Sequence, residues 1–428
     1  MSEKVNIFWF RRDLRLEDNT ALRAALNSGL PVIPLFIFDK NITEDLNLGD
    51  SRISFIYDTL VRLNNKIEQE GSCILIKSGT PAGVWKELTS SFNIGSVFYN
   101  KDYEPYAINR DVEVNEFLRK KGIESYGFKD QVIFEEKEIL KPDGLPYTMF
   151  TPYKKAWLRK FTASFSVHDR SLATGRFFRC KFRFPTLRQL GFKTSGQKIK
   201  PYDLSCIKDY DKYRDFPAMD RTTYLGPHLR FGTVSIRDIV EKASVLNQVF
   251  LGELIWREFF MQILFNFPHV ETSNFRPKYN NVSWRNNEKE FIRWCNGETG
   301  YPIVDAGMRQ LNETGYMHNR VRMITSGFLC KHLLTAWWFG EAYFAGKLND
   351  YELSSNNGNW QWVAGTGCDA AQYFRVFNPS FQQKKFDPHN EYMKRWVPEF
   401  NKSSYSKPMV EHEFARQRAI DAYRSGIL

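Results

Sequence analysis

Two tryptophans two residues apart, set among amides, make the stretch with the most chemistry in this 428-residue chain: Asn356-Asn357-Gly358-Asn359-Trp360-Gln361-Trp362. Buried amides require hydrogen-bond partners. A planar polar ligand would supply them, with the indoles as apolar, electron-rich walls. A Gly/Asn-rich loop with two tryptophans packed beneath it accounts for the same residues. Upstream, Thr222-Thr223-Tyr224-Leu225-Gly226-Pro227 leads into a helical run. Hydroxyls, a glycine and free backbone N–H groups at a helix start make a phosphate cradle, although most Thr-Gly-Pro turns are only turns. A third group shares one helical face: Glu253 and Arg257 are four apart, and Trp256 is three from Glu253. A Glu–Arg pair at this spacing is usually a surface salt bridge. The segment Leu254-Ile255-Trp256-Arg257-Glu258-Phe259-Phe260 is, however, too apolar for an exposed helix.

The length allows two domains, each with its own core. The aromatic content of 16% is high and points to stacking surfaces or a large aromatic core. A net charge of +11 and a pI near 9.2 favour polyanions, nucleic acid first among them. Residues 151–200 hold thirteen Lys/Arg against one Asp, enough to account for the whole net charge. A solvated basic linker explains that segment by itself, while attraction of DNA needs only a nearby positive field. The cysteines Cys73, Cys180, Cys206, Cys295, Cys330 and Cys368 form no CxxC pair, and there is no HExxH. They read as reduced thiols rather than a disulfide frame or a metal site. The start Met-Ser-Glu-Lys leads straight into a strand, with no apolar signal region and no membrane-length apolar run, so a cytoplasmic location is expected.

The elements that must position these residues fall into two kinds. Residues 5–10 and Val32–Phe38 read as buried strands, followed by short strands at Cys73–Ile76, Ser96–Tyr99 and Ile123–Tyr126. Ile53, Ile56, Leu60, Leu63 and Ile67 recur at helical spacing, and a further helix runs from about Tyr106 to Lys121. Alternating strands and helices imply a parallel sheet with right-handed crossovers. Ligands of such sheets lie beyond the strands' C-terminal ends, the rim that Asp13, Asp39 and Asp102 mark. No GxGxxG follows the first strand; the loop there carries Arg11, Arg12 and Arg15, and Arg–Asp pairs would pin it. Residues 130–200 show no sustained periodicity and four interrupting prolines, which predicts a long linker with short helices. From about 203 the pattern becomes helical, and Ser235 with Asp238 fits a helix start.

Longer motifs carry a resemblance. Phe8-Trp-Phe-Arg-Arg-Asp-Leu-Arg-Leu-Glu-Asp-Asn19, Glu253-Leu-Ile-Trp-Arg-Glu-Phe259, Gly300-Tyr-Pro-Ile-Val-Asp-Ala-Gly-Met-Arg-Gln-Leu311, Gly315-Tyr-Met-His-Asn-Arg-Val-Arg-Met-Ile324 and the Asp350–Pro379 run together resemble the photolyase/cryptochrome family over nearly the whole chain and in the right order. The likeness is strongest to class I cyclobutane pyrimidine dimer photolyases. It implies an α/β Rossmann-like antenna-binding domain over 1–128, a linker over 129–202, and an all-α domain over 203–428 that binds FAD and the DNA lesion.

The resemblance also assigns residues. It implies flavin contacts from Tyr210, Thr222, Thr223, Tyr224, Leu225, Gly226, Arg257, Asn319, Arg322, Asp350, Tyr351, Glu352 and Asn356. Gly226 replaces the family's usual Ser, and Glu352 its more usual Asp. Asn356 matches the position facing the flavin N5, where plant cryptochromes have Asp and many animal ones Cys; a neutral amide is a poor proton donor there and points toward repair. Trp360, Trp337 and Trp284 match the electron chain that photoreduces the flavin. Glu253, Trp256, Arg257, Asn319, Arg320, Met323 and Trp362 form the implied lesion site, with Trp256 and Trp362 sandwiching flipped-out pyrimidines and Glu253 steadying the radical anion. Glu253 and Asn356 are the expected catalytic pair. Family members that repair (6-4) products tend to carry His near Met323. An antenna chromophore of deazaflavin or flavin type, rather than folate, would touch Asp39, Arg52 and Asp102. The expected partner is UV-damaged DNA, and the expected state is a monomer with no obligate protein partner. A cryptochrome light sensor, a (6-4) photolyase and a nucleotide-binding α/β protein with an RNA-binding appendage are the rival readings.

Overall fold

The computed structural model describes residues 3–164 and 176–427. Two compact units emerge. The first comprises Met1–Glu138, Arg159–Pro201 and Leu225–Lys242, and the second Ile139–Leu158, Tyr202–Tyr224 and Ala243–Leu428.

The first unit is built on five parallel strands: β1 (Lys4–Phe10), β2 (Val32–Asp39), β3 (Leu75–Gly79), β4 (Asn93–Asn100) and β5 (Glu124–Phe128). Their spatial order is β3-β2-β1-β4-β5, with β1 in register with β2 (Phe8 opposite Pro34) and with β4 (Phe8 opposite Phe98). Successive side chains of a strand point to opposite faces, so β1 serves two cores. Phe8 and Phe10 pack with Leu22 of α1 (Thr20–Leu26) and with Ile53, Leu60 and Leu63 of α2 (Ser51–Glu68). Val5, Ile7 and Trp9 pack with Trp85 of α3 (Pro81–Ser91) and Leu118 of α4 (Pro105–Lys120). The predicted strand at Cys73–Ile76 lies two or three residues further on, at Leu75–Gly79. Cys73 and Ile74 are nonetheless buried, which is what their apolar run reflected.

The arginine loop after β1 is pinned by carboxylates. Arg11 Nη1 reaches Asp111 and Arg12 Nη1 reaches Asp102 at 3.1 Å. Arg15 and Arg237 both donate to Asp130, at 2.7 Å each, and Arg237 also holds Asp18. Burial alone would raise the Asp130 carboxyl, but the two guanidinium groups outweigh it and hold it below the ordinary range. This network draws 225–242, expected with the helical half, into the first unit; Ser235 Oγ accepts from Arg237 N at the start of the Ile236–Leu246 helix. Asp130→Asn would leave the buried Arg15 cation without its carboxylate and Arg237 with Asp18 alone, so a loss of about 3–5 kcal/mol is expected in thermal or urea unfolding. The depressed pKa places the carboxylate's contribution above the unfolded value of about 3.9, and it is lost as pH falls through the lower folded value.

The predicted linker contains one 15-residue helix, α5 (Phe150–Ser164), where only short helices were expected. Pro152 lies in its first turn, where a missing N–H costs nothing. Tyr153 and Trp157, four residues apart, are buried and both donate to Glu258 Oε1, at 3.4 and 2.7 Å. Residues 165–175, part of that linker and of the basic segment, lie outside the described residues. The second unit is helical, with Trp294, Phe328, Trp337 and Trp360 at the centre of its core. All six cysteines are free thiols. Among the described residues, no helix is long and apolar enough to cross a membrane.

Candidate functional site

Four helices of the second unit carry eleven of the predicted residues: α6 (Gln248–Asn266), α7 (Asn319–Gly327), α8 (Trp337–Lys347) and α9 (Leu353–Ala364). Asn247 caps α6 by accepting from the N–H groups of Val249 and Phe250, and His318 caps α7 through Arg320 N. Burial lowers the His318 imidazole to about 4, which keeps Nδ1 an acceptor. Helix α9 packs against α6, α7 and α8. Two glycines permit the close approach. A Cβ on Gly358 would lie 2.2 Å from the Phe260 ring, and one on Gly340 would lie 2.1 Å from Trp360.

The charged residues come together as pairs. Glu253 Oε1 accepts from Arg214 Nη1 at 2.6 Å, and the Arg214 guanidinium lies over the Tyr210 ring at 5.1 Å. Arg257 reaches Glu352 at 3.0 Å, so the longer carboxylate of Glu352 spans to α6. Arg322 Nη2 donates to both oxygens of Asp350, at 3.1 and 2.8 Å. Arg320 binds Asp215 at 2.6 Å and lies over Phe386. Met323 is beside it, with Sδ 3.7 Å from Arg320 Nη1. Asn319 is exposed at the start of α7. Thr222 Oγ1 and Tyr316 OH are 2.9 Å apart, and the Tyr224 ring is 4.8 Å from that of Tyr316. Tyr224 takes a left-handed φ of 51°. Thr223 and Leu225 are buried, Gly226 lies in a short helix with Leu225, and Tyr351 packs on the core of the second unit.

Most of the amides around the tryptophans find protein partners, as the packed-segment reading of this stretch requires. Asn357 Nδ2 donates to Val270 O at 2.8 Å, and Gln361 Nε2 donates to Val270 O and Ser273 O. Asn359 is exposed and donates to Ser355 O within its own helix. Asn356 differs. Its Nδ2 donates to Glu341 Oε1 at 2.8 Å and to Glu341 O at 3.0 Å, while its Oδ1 accepts no hydrogen bond from the described residues. Burial raises the Glu341 carboxyl, partly offset by this donation from Asn356.

The indoles sort into three environments. Trp256 is stacked on Phe150, with centroids 3.7 Å apart and planes at 10°, so one face is already covered. Trp362 is part-exposed, and among the described residues no aromatic ring touches it. Trp360 is buried between Phe344 and Trp294, at 4.9 and 6.2 Å. Trp337 is buried and donates to Asn274 Oδ1 at 2.8 Å, and Trp284 is part-buried against Tyr423. Sequence reasoning did not single out Phe150, Arg214, Asp215, Tyr316 or Glu341. Glu341 had a signal: it follows Trp337 by one helical turn. Arg214 lies four residues from Tyr210 but 39 from Glu253, and Phe150, Asp215 and Tyr316 lie more than 90 residues from Trp256, Arg320 and Thr222, so no local spacing marks these pairings.

In the first unit, Asp39 ends β2 and accepts from Tyr106 OH at 2.6 Å. Asp102 is held by Arg12, and Arg52 pairs with Asp50 at 2.7 Å. Each of the three predicted antenna residues therefore has a partner within the protein.

The family model for DNA photolyase matches residues 6–170, and that for the FAD binding domain of DNA photolyase matches residues 250–404. A deoxyribodipyrimidine photo-lyase of Agrobacterium fabrum is 35% identical, over 97% of this chain and 97% of its own. This chain belongs to the photolyase/cryptochrome family. Among solved family members, a class III photolyase from Agrobacterium tumefaciens superposes with a TM-score of 0.88 at 32% identity, over 100% of this chain and 98% of its own. An archaeal photolyase from Sulfolobus tokodaii, described with two FAD molecules, gives 0.88 at 33% identity, over 99% of this chain and 100% of its own. Residues 250–404 thus form a photolyase FAD-binding domain. The donor set fits that group: the Asn356 carbonyl oxygen is an open acceptor on α9, and the Arg322–Asp350 pair leaves both partners part-exposed.

Proposed function

We propose that this chain splits cyclobutane pyrimidine dimers in UV-damaged DNA by light-driven electron transfer. We propose the reaction and not class I membership, because the solved relatives include a class III enzyme. The observation that carries the proposal is the pairing of Glu253 with Arg214 on the same face of α6 as Trp256. FAD, when bound, supplies the electron on absorbing blue or near-UV light. The protein's part is to hold the lesion and steady its added charge. As a carboxylate, Glu253 accepts from the ring N–H of a flipped-out pyrimidine, and the Arg214 cation beside it keeps added negative charge favourable. Trp362 offers an open indole face for stacking, while the Phe150–Trp256 stack forms a stiff wall. Asn356 presents its carbonyl oxygen where Asp or Cys would present a proton, which supports repair over signalling. Arg320 and the chain's net positive charge favour the phosphates flanking the lesion.

An antenna at the sheet rim, near Asp39, Arg52 and Asp102, belongs to the same proposal; the archaeal relative with two FAD molecules supports a flavin-type occupant. The deciding assay mixes UV-irradiated oligothymidine with chemically reduced protein and follows absorbance near the thymine band. Recovery under blue light and none in the dark is expected. Reduced flavin bound without any recovery would overturn the repair reading in favour of a sensor or a (6-4) enzyme.

A further inference from the structure

We propose that Trp338, an exposed indole outside the three predicted electron-transfer positions, is the outlet of the tryptophan chain: oxidising equivalents reaching Trp337 leave the protein through Trp338. The inference rests on the electron-transfer roles taken above for Trp360, Trp337 and Trp284.

Trp337 is 1% exposed, and among the described residues its one aromatic neighbour is Trp338, with centroids 5.7 Å apart and planes at 80°. Trp338 in turn meets Trp284 at 6.2 Å. No direct ring contact joins Trp337 to Trp284 among the described residues, so the shortest route between them runs over Trp338. Electron tunnelling falls off exponentially with the gap, so between Trp337 and Trp284 the ring in contact with both is the first stop. Trp338 is also 42% exposed. An oxidised indole is a strong N–H acid and is trapped where its proton can leave. The Trp337 N–H is committed to an amide oxygen, that of Asn274, which is a poor base. Trp338 meets water directly.

The inward branch is closed. Tyr423 lies 5.6 Å from Trp284, but it is fully buried and its hydroxyl donates to the Ala364 carbonyl. The Lys331 side chain, buried in a π-helical turn where burial lowers its ammonium to about 7, sits 3.7 Å over the Tyr423 ring and in its protonated form disfavours positive charge there. The electron count then balances. With an excited flavin in the site as one-electron acceptor, Trp360 would give up one electron, Trp337 would refill Trp360 by the role taken above, and Trp338 would refill Trp337 across their ring contact. Oxidised Trp338 gives its Nε1 proton to water, and a soluble thiol later returns one electron and one proton to it.

The test uses FAD-loaded protein carrying Trp338→Phe, Trp284→Phe or Trp360→Phe, read by the transient absorbance of the neutral indole radical with and without thiol. A second reading needs no substitution: peptide mapping of spin-trap adducts in the illuminated wild-type protein. Trp338→Phe is expected to shorten the radical lifetime about tenfold and remove its thiol dependence, with Trp284→Phe changing it far less. Adducts on Trp338 are expected. Adducts on Trp284 alone, or a lifetime untouched by Trp338→Phe, would overturn the proposal. Radical formation unaffected by Trp360→Phe would sink it differently, by removing the chain on which it rests.

Discussion

Replacing Glu253 by Gln is expected to slow dimer splitting about tenfold while flavin content stays at the wild-type level, the size of one lost charge-assisted hydrogen bond. The substitution keeps shape and removes only charge. Its partner Arg214 would lose the negative charge it meets at 2.6 Å while an amide oxygen remains to accept from it. The side chains of Glu253 and Arg214 are part-exposed, so solvent screens the loss and folding is little affected. That separation of effects makes the variant informative. The measurement is repair per absorbed photon on pre-reduced protein, with flavin quantified from the visible band. An unchanged yield would remove Glu253 from the chemistry and leave its pairing with Arg214 structural.

The second large effect is at Trp360. Trp360→Phe is expected to bring photoreduction of the oxidised cofactor down to the dark level, while pre-reduced protein repairs normally. Trp360 is buried, with its ring against Gly340, Phe344 and Trp294. A phenyl ring keeps the edge-to-face packing but is far harder to oxidise than an indole. The smaller ring leaves a cavity, which costs about 1–2 kcal/mol and should show as a modest fall in Tm. Photoreduction is followed by bleaching of the flavin band under blue light with thiol present. Loss of repair in the pre-reduced protein would assign Trp360 to the repair step instead.

Some of this was legible in the residue order. Apolar runs such as Val32–Phe38 must be buried on both faces, and a doubly covered parallel sheet is the arrangement that does so. The three- and four-residue recurrence from Ile53 to Ile67 required a helix, and α2 is that helix. Family membership was legible because several long motifs fall in the right order. Helix α5 was missed for a local reason: Pro146 and Pro152 read as breaks, but Pro152 occupies a first-turn position where proline is harmless.

What the sequence determined by itself is therefore the local and the periodic: five strands, two of the helices between them, the helix start at Ser235, and candidate residues able to do chemistry. The tertiary structure decided who meets whom. It turned Asn357 and Gln361 toward the carbonyls of Val270 and Ser273, some 90 residues away, and left the Asn356 oxygen open. It laid Phe150 on Trp256, set Arg214 against Glu253, and placed Trp338 between Trp337 and Trp284. The physical reason is range. Periodicity and capping are fixed within a few residues, whereas a hydrogen bond or ring contact between distant segments exists only once packing has chosen which helices touch.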